Sequence, residues 1–538
     1  MKQQWFQRTG LLLRVNARQN RVKLTAWLVA LVMGMLVIAA SFSQIYQTPA
    51  ALAEIAKTLK TDAMVALFGP VATPVRQTVA AAFAMEMPVF TALILIVMNY
   101  QLAVGSARED EDAGLLELVR AHGVGRLAPL LATALLLTGL NALIGGLLGS
   151  GLQLIDMPGA TTSGNWVLAL GLASTGWAFG MLSLVCAQLA SSARGSLMLS
   201  YALLGGMYIG RMLTDLQNPQ LTWWIPFGWV EKLGAYQAEN WLPVGNYGLF
   251  GLLALGVALG LNARRDLGAG WLPPRLGRRR ASVYLRGPVS LVGRLHRGSL
   301  VAWLLASLVL GGAYASVFNT IGDLAQSNPM IKQVLGTAGL AAANRVIVKN
   351  FLAILAIVLV VLAAIPALQI MLQLVSDEQK GYLHQLYATA TGRWHVWASY
   401  TGWAVLTGSL VYLAGLLGMY LVGVQSMTDP LHWSTYWHIF TAYVPAMLVM
   451  IAVASLLTGW LPRWRALSWA WLAYAFFSMY LGKLIDLPRW AQRLTPFGFV
   501  DKVPVKAVNW ATNVWFFGLT VLILMLAAVG YRRRDLAQ

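Results

Sequence analysis

Twelve runs of mainly apolar residues set the limits on this chain: 25–47, 87–107, 127–149, 166–190, 195–213, 245–263, 299–319, 350–374, 397–423, 438–460, 466–485 and 512–531. Each is close to the roughly 20 residues that an α-helix needs to cross a bilayer. Backbone polar groups in hydrocarbon must be satisfied within the segment, so such runs cross as helices. Composition agrees. Only 11% of the 538 residues are charged and 58% are hydrophobic, whereas a soluble domain carries about 25% charged residues. The expected fold class is an all-α polytopic membrane protein with about twelve transmembrane helices. The run at 195–213 is the weakest, because it contains Gly205, Gly206 and Gly210.

Lys and Arg outnumber Asp and Glu by 39 to 20. In a soluble protein that excess points to nucleic acid. Here it reads as topology, because basic residues stay on the cytoplasmic side. With the N-terminus inside, the inner segments hold 26 of the 39 basic residues. The expected location is the cell membrane, multi-pass, with both termini cytoplasmic, lipid as surroundings and no nucleic acid. Cys186 is the single cysteine and can form no internal disulfide. Residues 1–24 alternate Trp5, Phe6, Leu11, Leu12, Leu13 and Val15 with six basic residues. They read as an interfacial amphipathic helix or, more blandly, as a basic flank that fixes orientation. The first apolar run shows no cleavage pattern.

The most informative stretch lies between two apolar runs, from Arg108 to Arg126. A weaker copy runs from Ser376 to Arg393. Glu111, Gly114, Leu116, Ala121 and Arg126 match Glu378, Gly381, Leu383, Ala388 and Arg393. Other matches follow in the same order: Trp27 with Trp303, Leu67-Phe68-Gly69 with Val334-Leu335-Gly336, and Met207 to Arg211 with Met479 to Lys483. Pro226 to Lys232 matches Pro496 to Lys502, Asn240-Trp241 matches Asn509-Trp510, and Arg265-Asp266-Leu267 matches Arg534-Asp535-Leu536. An ordered internal repeat implies two copies of one architecture. The expected organisation is a first six-helix repeat at 1–263, a basic cytoplasmic linker with a second interfacial helix at 264–298, and a second six-helix repeat at 299–538. Six spans per half make the repeats parallel, related by an axis along the membrane normal.

The duplicated segment reads as a docking handle for a soluble cytoplasmic partner. A short helix with Leu115, Leu116, Leu118 and Val119 offers apolar contact for a groove, and Glu109, Glu111, Glu117 and Arg120 offer charge complementarity. Gly114 allows a close approach or ends a turn. The bland reading, a solvated charged loop helix, fits one instance less awkwardly than two at matching positions. The second copy contributes Asp377, Glu378, Gly381, Leu383 and Arg393, while Lys380 interrupts its acids and His384 and Tyr387 stand for Glu117 and Arg120.

At these residues the chain resembles the permeases of ABC-2-type exporters, in particular the fused two-repeat group that exports polyketide antibiotics and other drugs in Gram-positive bacteria. The resemblance rests on Arg108, Glu109, Glu111, Gly114, Leu115 to Val119 and Val124-Gly125-Arg126, and on the Pro-x-Gly-Trp signature Pro226-Phe227-Gly228-Trp229, in whose second copy Phe499 replaces the Trp. It covers nearly the whole chain. It implies the ABC-2-type transmembrane fold and export of drugs, antibiotics or other amphiphilic small molecules or peptides. It also implies two copies of a separate ATP-binding subunit that hold the ATP and Mg2+, with no cofactor in this chain.

No phosphate-binding Gly-x-x-x-x-Gly-Lys-Ser/Thr loop, zinc spacing or Gly-x-Ser-x-Gly elbow appears, so neither catalytic nor metal-binding residues are expected and the chain is not read as an enzyme. Ionisable residues near a bilayer are functional candidates. Glu86, Arg211 and Lys483 are candidates for a substrate path or gate, with Tyr208, Phe227, Trp229, Tyr480, Phe497 and Phe499 beside them in the two repeated outer loops. The competing reading places such groups at the outer interface, where water makes them cheap. An ion-coupled secondary transporter with twelve helices is the alternative function, disfavoured by the lack of an acid at a span centre. A membrane sensor or assembly factor that binds an ATPase without transport is a third.

Overall fold

The computed structural model describes residues 5–46, 48–60, 62–70, 76–272, 280, 282–315, 329–389, 391–427, 429–481 and 487–535. Lys483 lies outside them, as does the side chain of Tyr480. The chain is an all-α polytopic membrane protein. Ten helices among the described residues are long and apolar enough to cross a bilayer, and they account for ten of the twelve expected runs. The run at 195–213 lies in a 25-residue helix, Ala193–Gln217, that buries Arg211 and Asp215. The run at 466–485 opens as a ten-residue helix, Leu467–Phe476, and passes into a π turn at Phe477–Leu481.

The chain divides into two compact units, Met1–Gly277 and Arg278–Gln538. The first contains α1 (Thr9–Ile45), α2 (Pro49–Thr58), α3 (Asp62–Phe68), α4 (Val79–Val104), α5 (Leu115–Ala121), α6 (Ala128–Gln153), α7 (Thr162–Leu189), α8 (Ala193–Gln217) and α9 (Leu242–Arg264). The second contains α10 (Pro288–Ala315), α11 (Pro329–Gln379), α12 (Tyr382–Tyr387), α13 (Arg393–Ser426), α14 (Trp433–Trp460), α15 (Leu467–Phe476), α16 (Arg489–Gln492) and α17 (Trp510–Arg533). Side-chain oxygens start several helices: Thr78, Thr161 and Ser192 accept from the N–H groups of Ala81, Gly164 and Gly195 at 3.2, 3.0 and 3.2 Å. Each satisfies one amide that a helix start would otherwise leave orphaned.

The two units pair their spans alike. In the first, α1 packs on α6, α4 on α7, α6 on α7, and α7 on α9. In the second, α10 packs on α13, α11 on α14, α13 on α14, and α14 on α17. The first and third spans, the second and fourth, the third and fourth, and the fourth and sixth therefore pair in both. α7 is the buried hub of the first unit, and α11 and α14 form that of the second.

Neither basic amphipathic segment forms a separate interfacial helix. From Thr9 the N-terminal one runs unbroken into the first span as α1, whose 37 residues make a rod of about 55 Å. The 289–295 stretch likewise continues into α10. A helix that has already started extends at little cost, whereas a break would orphan up to four amides and four carbonyls. The expected linker does not begin free of the first unit either. Beyond α9 the chain folds back on it, and the N–H groups of Trp271 and Leu272 donate to the carbonyls of Gln188 and Leu189 at 3.2 and 2.8 Å.

Lipid tails give no hydrophobic drive between helices, so close packing and polar contacts hold spans together. In the second unit a Cβ on Gly311 would strike the Gly415 carbonyl, and one on Gly418 the Leu308 carbonyl. Backbone therefore touches backbone between α10 and α13. In the first unit Asn99 and Asn141 exchange amides between α4 and α6: Asn141 donates to Asn99 Oδ1 at 2.7 Å and Asn99 donates to Asn141 Oδ1 at 3.2 Å. Gly176 of α7 leaves the space for both.

Replacing either Asn by Leu orphans the other amide and should destabilise the first unit by about 1–3 kcal/mol. The double replacement removes both polar groups and should cost less than the sum. Thermal unfolding of the four proteins in detergent checks this, and strictly additive losses would refute a shared bond.

Candidate partner-docking site

The first handle is built by a π turn and a left-handed glycine. α4 widens into a π turn at Gly105–Glu109, which feeds a single turn, Asp110–Asp112. Gly114 then takes φ +75° and caps α5. A side chain at that φ is strained, and glycine avoids the penalty. The second handle repeats the device: α11 ends at Gln379, and Gly381 with φ +75° caps α12.

The acids expected to face a partner are divided between inside and outside. Glu111 is buried. Its carboxylate accepts from Arg265 Nη2 at 2.6 Å and from the N–H of Gly268 at 2.7 Å. Arg108, 1% exposed, lies 3.4 Å from Glu111 and 3.1 Å from Asp112 and donates to the carbonyls of Gly268 and Ala269. Arg126 closes the ring, donating to the Arg265 carbonyl at 2.6 Å, and half-buried Arg120 donates to the Arg126 carbonyl at 3.2 Å. Asp112 also accepts from the N–H of Ala193 at 2.6 Å, a carboxylate set where the N-terminus of α8 carries partial positive charge. The handle is thereby latched to the start of the fifth span and the end of the sixth.

The second unit has the same latch. Glu378, 1% exposed, accepts from Arg534 Nη2 at 2.5 Å, and Arg393 donates to the Arg534 carbonyl at 2.9 Å. Asp377 is buried and accepts from the Tyr400 hydroxyl at 2.6 Å. Tyr387, in the place of Arg120, bonds to Tyr531 through their hydroxyls at 2.6 Å. Arg265 and Arg534 are the residues that sequence reasoning left without a role. Their signal was the recurring Arg-Asp-Leu just past each sixth span.

What remains outside differs between the copies. On α5, Leu115 and Leu118 are 48% and 65% exposed, with Glu109, Glu117, Ala121 and His122 around them. Leu116 is half-buried. On α12 the exposed residues are Tyr382, His384 and Gln385, with Ala388 exposed just past its end, while Leu383 is buried. One handle offers leucines with acids, the other an aromatic ring with neutral or basic polar groups.

The path and gate candidates of the first unit gather at the span ends remote from its handle. Arg211 is fully buried and lies 2.5 Å from Glu231 and 3.5 Å from Asp215. It also donates to the carbonyls of Ala66 and Leu67 and sits 4.8 Å from the ring centroid of Tyr208. Phe227 is fully buried against Tyr208 and Phe179. Trp229 donates to the Trp223 carbonyl at 2.7 Å and meets Tyr247 edge-on. Glu86 stands apart and accepts from the Tyr46 hydroxyl at 2.9 Å. In the second unit Phe497 is fully buried, Phe499 is 50% exposed beneath Arg493, and Asp501, the counterpart of Glu231, pairs with Lys506 at 3.4 Å.

Residues 285–532 match the family model described as the C-terminal domain of the multidrug efflux system permease Rv1217c. The whole chain is similar to the multidrug efflux system permease protein Rv1217c of Mycobacterium tuberculosis. They are 29% identical over 536 residues, covering 97% of this chain and 94% of that protein.

Removing one partner of a buried ion pair costs about 3–5 kcal/mol. Glu111→Ala and Glu378→Ala should each lower the unfolding temperature sharply, and Glu111→Ala should speed tryptic cleavage at Arg264 and Arg265. Exposed Glu117→Ala should stay within about 0.5 kcal/mol. Equal shifts for Glu111 and Glu117 in a thermal unfolding series would rule the latch out.

Proposed function

We propose that this chain is the transmembrane permease of an ATP-driven exporter of the ABC-2 type, moving drugs or other amphiphilic compounds. Separate ATP-binding subunits dock on α5 and α12, and they bring the ATP and Mg2+. The observation that carries this reading is the duplicated, latched handle. A helix that serves only as a loop has no need of a buried ion pair fastening it to the end of a distant span, twice over. Similarity to a protein named as a multidrug efflux permease supports the same reading, and the 26-to-13 distribution of Lys and Arg supports handles and termini on the cytoplasmic side.

The latch supplies the mechanics. A push on α5 passes through Glu111 and Arg126 to Arg265 at the end of α9, through Asp112 to the start of α8, and along the π turn into α4. A push on α12 passes through Glu378 and Arg393 to Arg534 at the end of α17 and directly into α11. Packed helices shift as bodies, so closure of the two docked subunits on ATP moves the second and sixth spans of each unit together. Because α5 is leucine-rich and α12 is not, the two docking contacts differ in strength.

An ion-coupled secondary transporter is the second reading. The surplus buried carboxylate around Arg211 favours it, since such a transporter needs an acid that trades protons.

Co-expression with a candidate ATP-binding subunit distinguishes them. Leu115→Ser with Leu118→Ser alters exposed positions and should leave thermal stability unchanged. It should cut co-purification of the ATP-binding subunit by about tenfold or more, the scale of two lost apolar anchors. The matching change at Tyr382 should weaken capture less. If wild type captures no ATP-binding subunit, the exporter reading fails and proton-coupled flux is the assay that follows.

A further inference from the structure

Beside the Arg211 cluster the first unit holds a cavity of about 50 Å³, room for roughly three water-sized groups. Leu59, Phe68, Met85 and Val89 form apolar walls, and Glu231 and Gln237 supply polar atoms. The Glu231 side chain is 3% exposed. Its Oε1 takes Arg211, but Oε2 accepts no hydrogen bond among the described residues, and neither does Gln237 Oε1. A Cβ on Gly69 would sit 2.4 Å from Oε2, so the carboxylate rests directly on the Leu67-Phe68-Gly69 loop. Two buried acceptors at the wall of one apolar cavity ask for a donor.

Charge says which donor. One guanidinium faces two buried carboxylates, those of Glu231 and Asp215. Arg211 Nη2 is committed to the Ala66 and Leu67 carbonyls, and Asp215 accepts from the Thr222 hydroxyl at 2.5 Å. Among the described residues the other titratable groups near the cluster are the phenols of Tyr208 and Tyr247, and on the Gln237 side the Arg76 guanidinium is committed to the Tyr236 carbonyl at 3.3 Å. Lys232 turns away to the Pro219 carbonyl, and Glu86, on the helix that lines the cavity, turns to Tyr46. One negative charge is therefore left to be balanced by a proton or by a bound cation.

We infer that this cavity is a binding site for a compact organic cation, a protonated primary amine whose ammonium group donates to Glu231 Oε2 and Gln237 Oε1 while its first carbons lie against the apolar walls. Binding is an exchange. The ammonium pairs with the carboxylate, and the proton that had balanced Glu231 leaves to bulk water. Burial, partly offset by Arg211, pushes the Glu231 carboxyl up to about 8. Near neutral pH the site holds the proton, and a cation must displace it. Affinity for the amine therefore rises with pH up to that value and levels above it.

The test uses the purified full-length chain in lipid nanodiscs, with no ATP-binding subunit, so its outcome is separate from that of the docking experiment. Ethylammonium chloride, with three non-hydrogen atoms, is titrated by saturation-transfer NMR from about pH 6 to about pH 9, with ethanol as the neutral compound of the same length. The ammonium should bind about tenfold more tightly for each pH unit below the plateau, as displacement of one proton requires, and ethanol should not follow. Glu231→Gln should abolish both binding and slope. Gln237→Leu should weaken binding several-fold and keep the slope. If Glu231→Gln does not yield monodisperse protein, the wild-type slope and Gln237→Leu decide. Binding of ethanol as tight as that of the ammonium, a flat pH profile, or no ammonium binding at all would overturn the assignment.

Discussion

Each unit depends on a carboxylate that is buried and yet fully answered. A charge removed from water is stabilised only when its hydrogen bonds are replaced. Glu111 meets this with Arg265 and the Gly268 amide, and Glu378 with Arg534. Because the partner lies just past the sixth span, answering the carboxylate also holds that end of the span. The loop between the second and third spans is thereby tied to the end of the sixth. A displacement of α5 or α12 reaches the end of the sixth span through that tie.

The spans were legible because hydrocarbon permits so few solutions. A run such as 350–374 has no competing fold, and α11 runs through it. The runs at 195–213 and 466–485 were less legible. In the first, Arg211 and Asp215 answer one another across one helical turn, which only coordinates reveal. In the second the helix gives way to a π turn. The basic segments at 1–24 and 289–295 carried the pattern of interfacial helices, but periodicity does not say where a helix breaks. α1 and α10 simply continue.

The handles were legible in place and in duplication, though not in the division of their charges. Glu111 and Glu117 look alike in sequence, and one is buried while the other is exposed. The difference lies with Arg265, 154 positions away from Glu111, and no local pattern reaches that far. The recurring Arg-Asp-Leu marked the right residues without naming their partners. The copies then diverge where no latch constrains them. Leu118 becomes Gln385 on the exposed face, and Glu231, buried against Arg211, becomes Asp501, paired with Lys506. The buried Glu–Arg pair stands in both copies, while the exposed faces differ.

The distance between Glu111 and Arg265 also has a meaning in time. A ribosome adding roughly 5–20 residues per second makes Glu111 about 8–30 s before its partner. During that interval Arg108 and Glu111 have each other but lack the amide, the two carbonyls and the guanidinium that later enclose them, and α5 is tethered at one side only. Latching of the first handle is therefore a late event of biogenesis. It requires that the chain through Arg265 has been made, so a chain that stalls before Arg265 displays a loose, protease-accessible loop where a finished one displays a latched one.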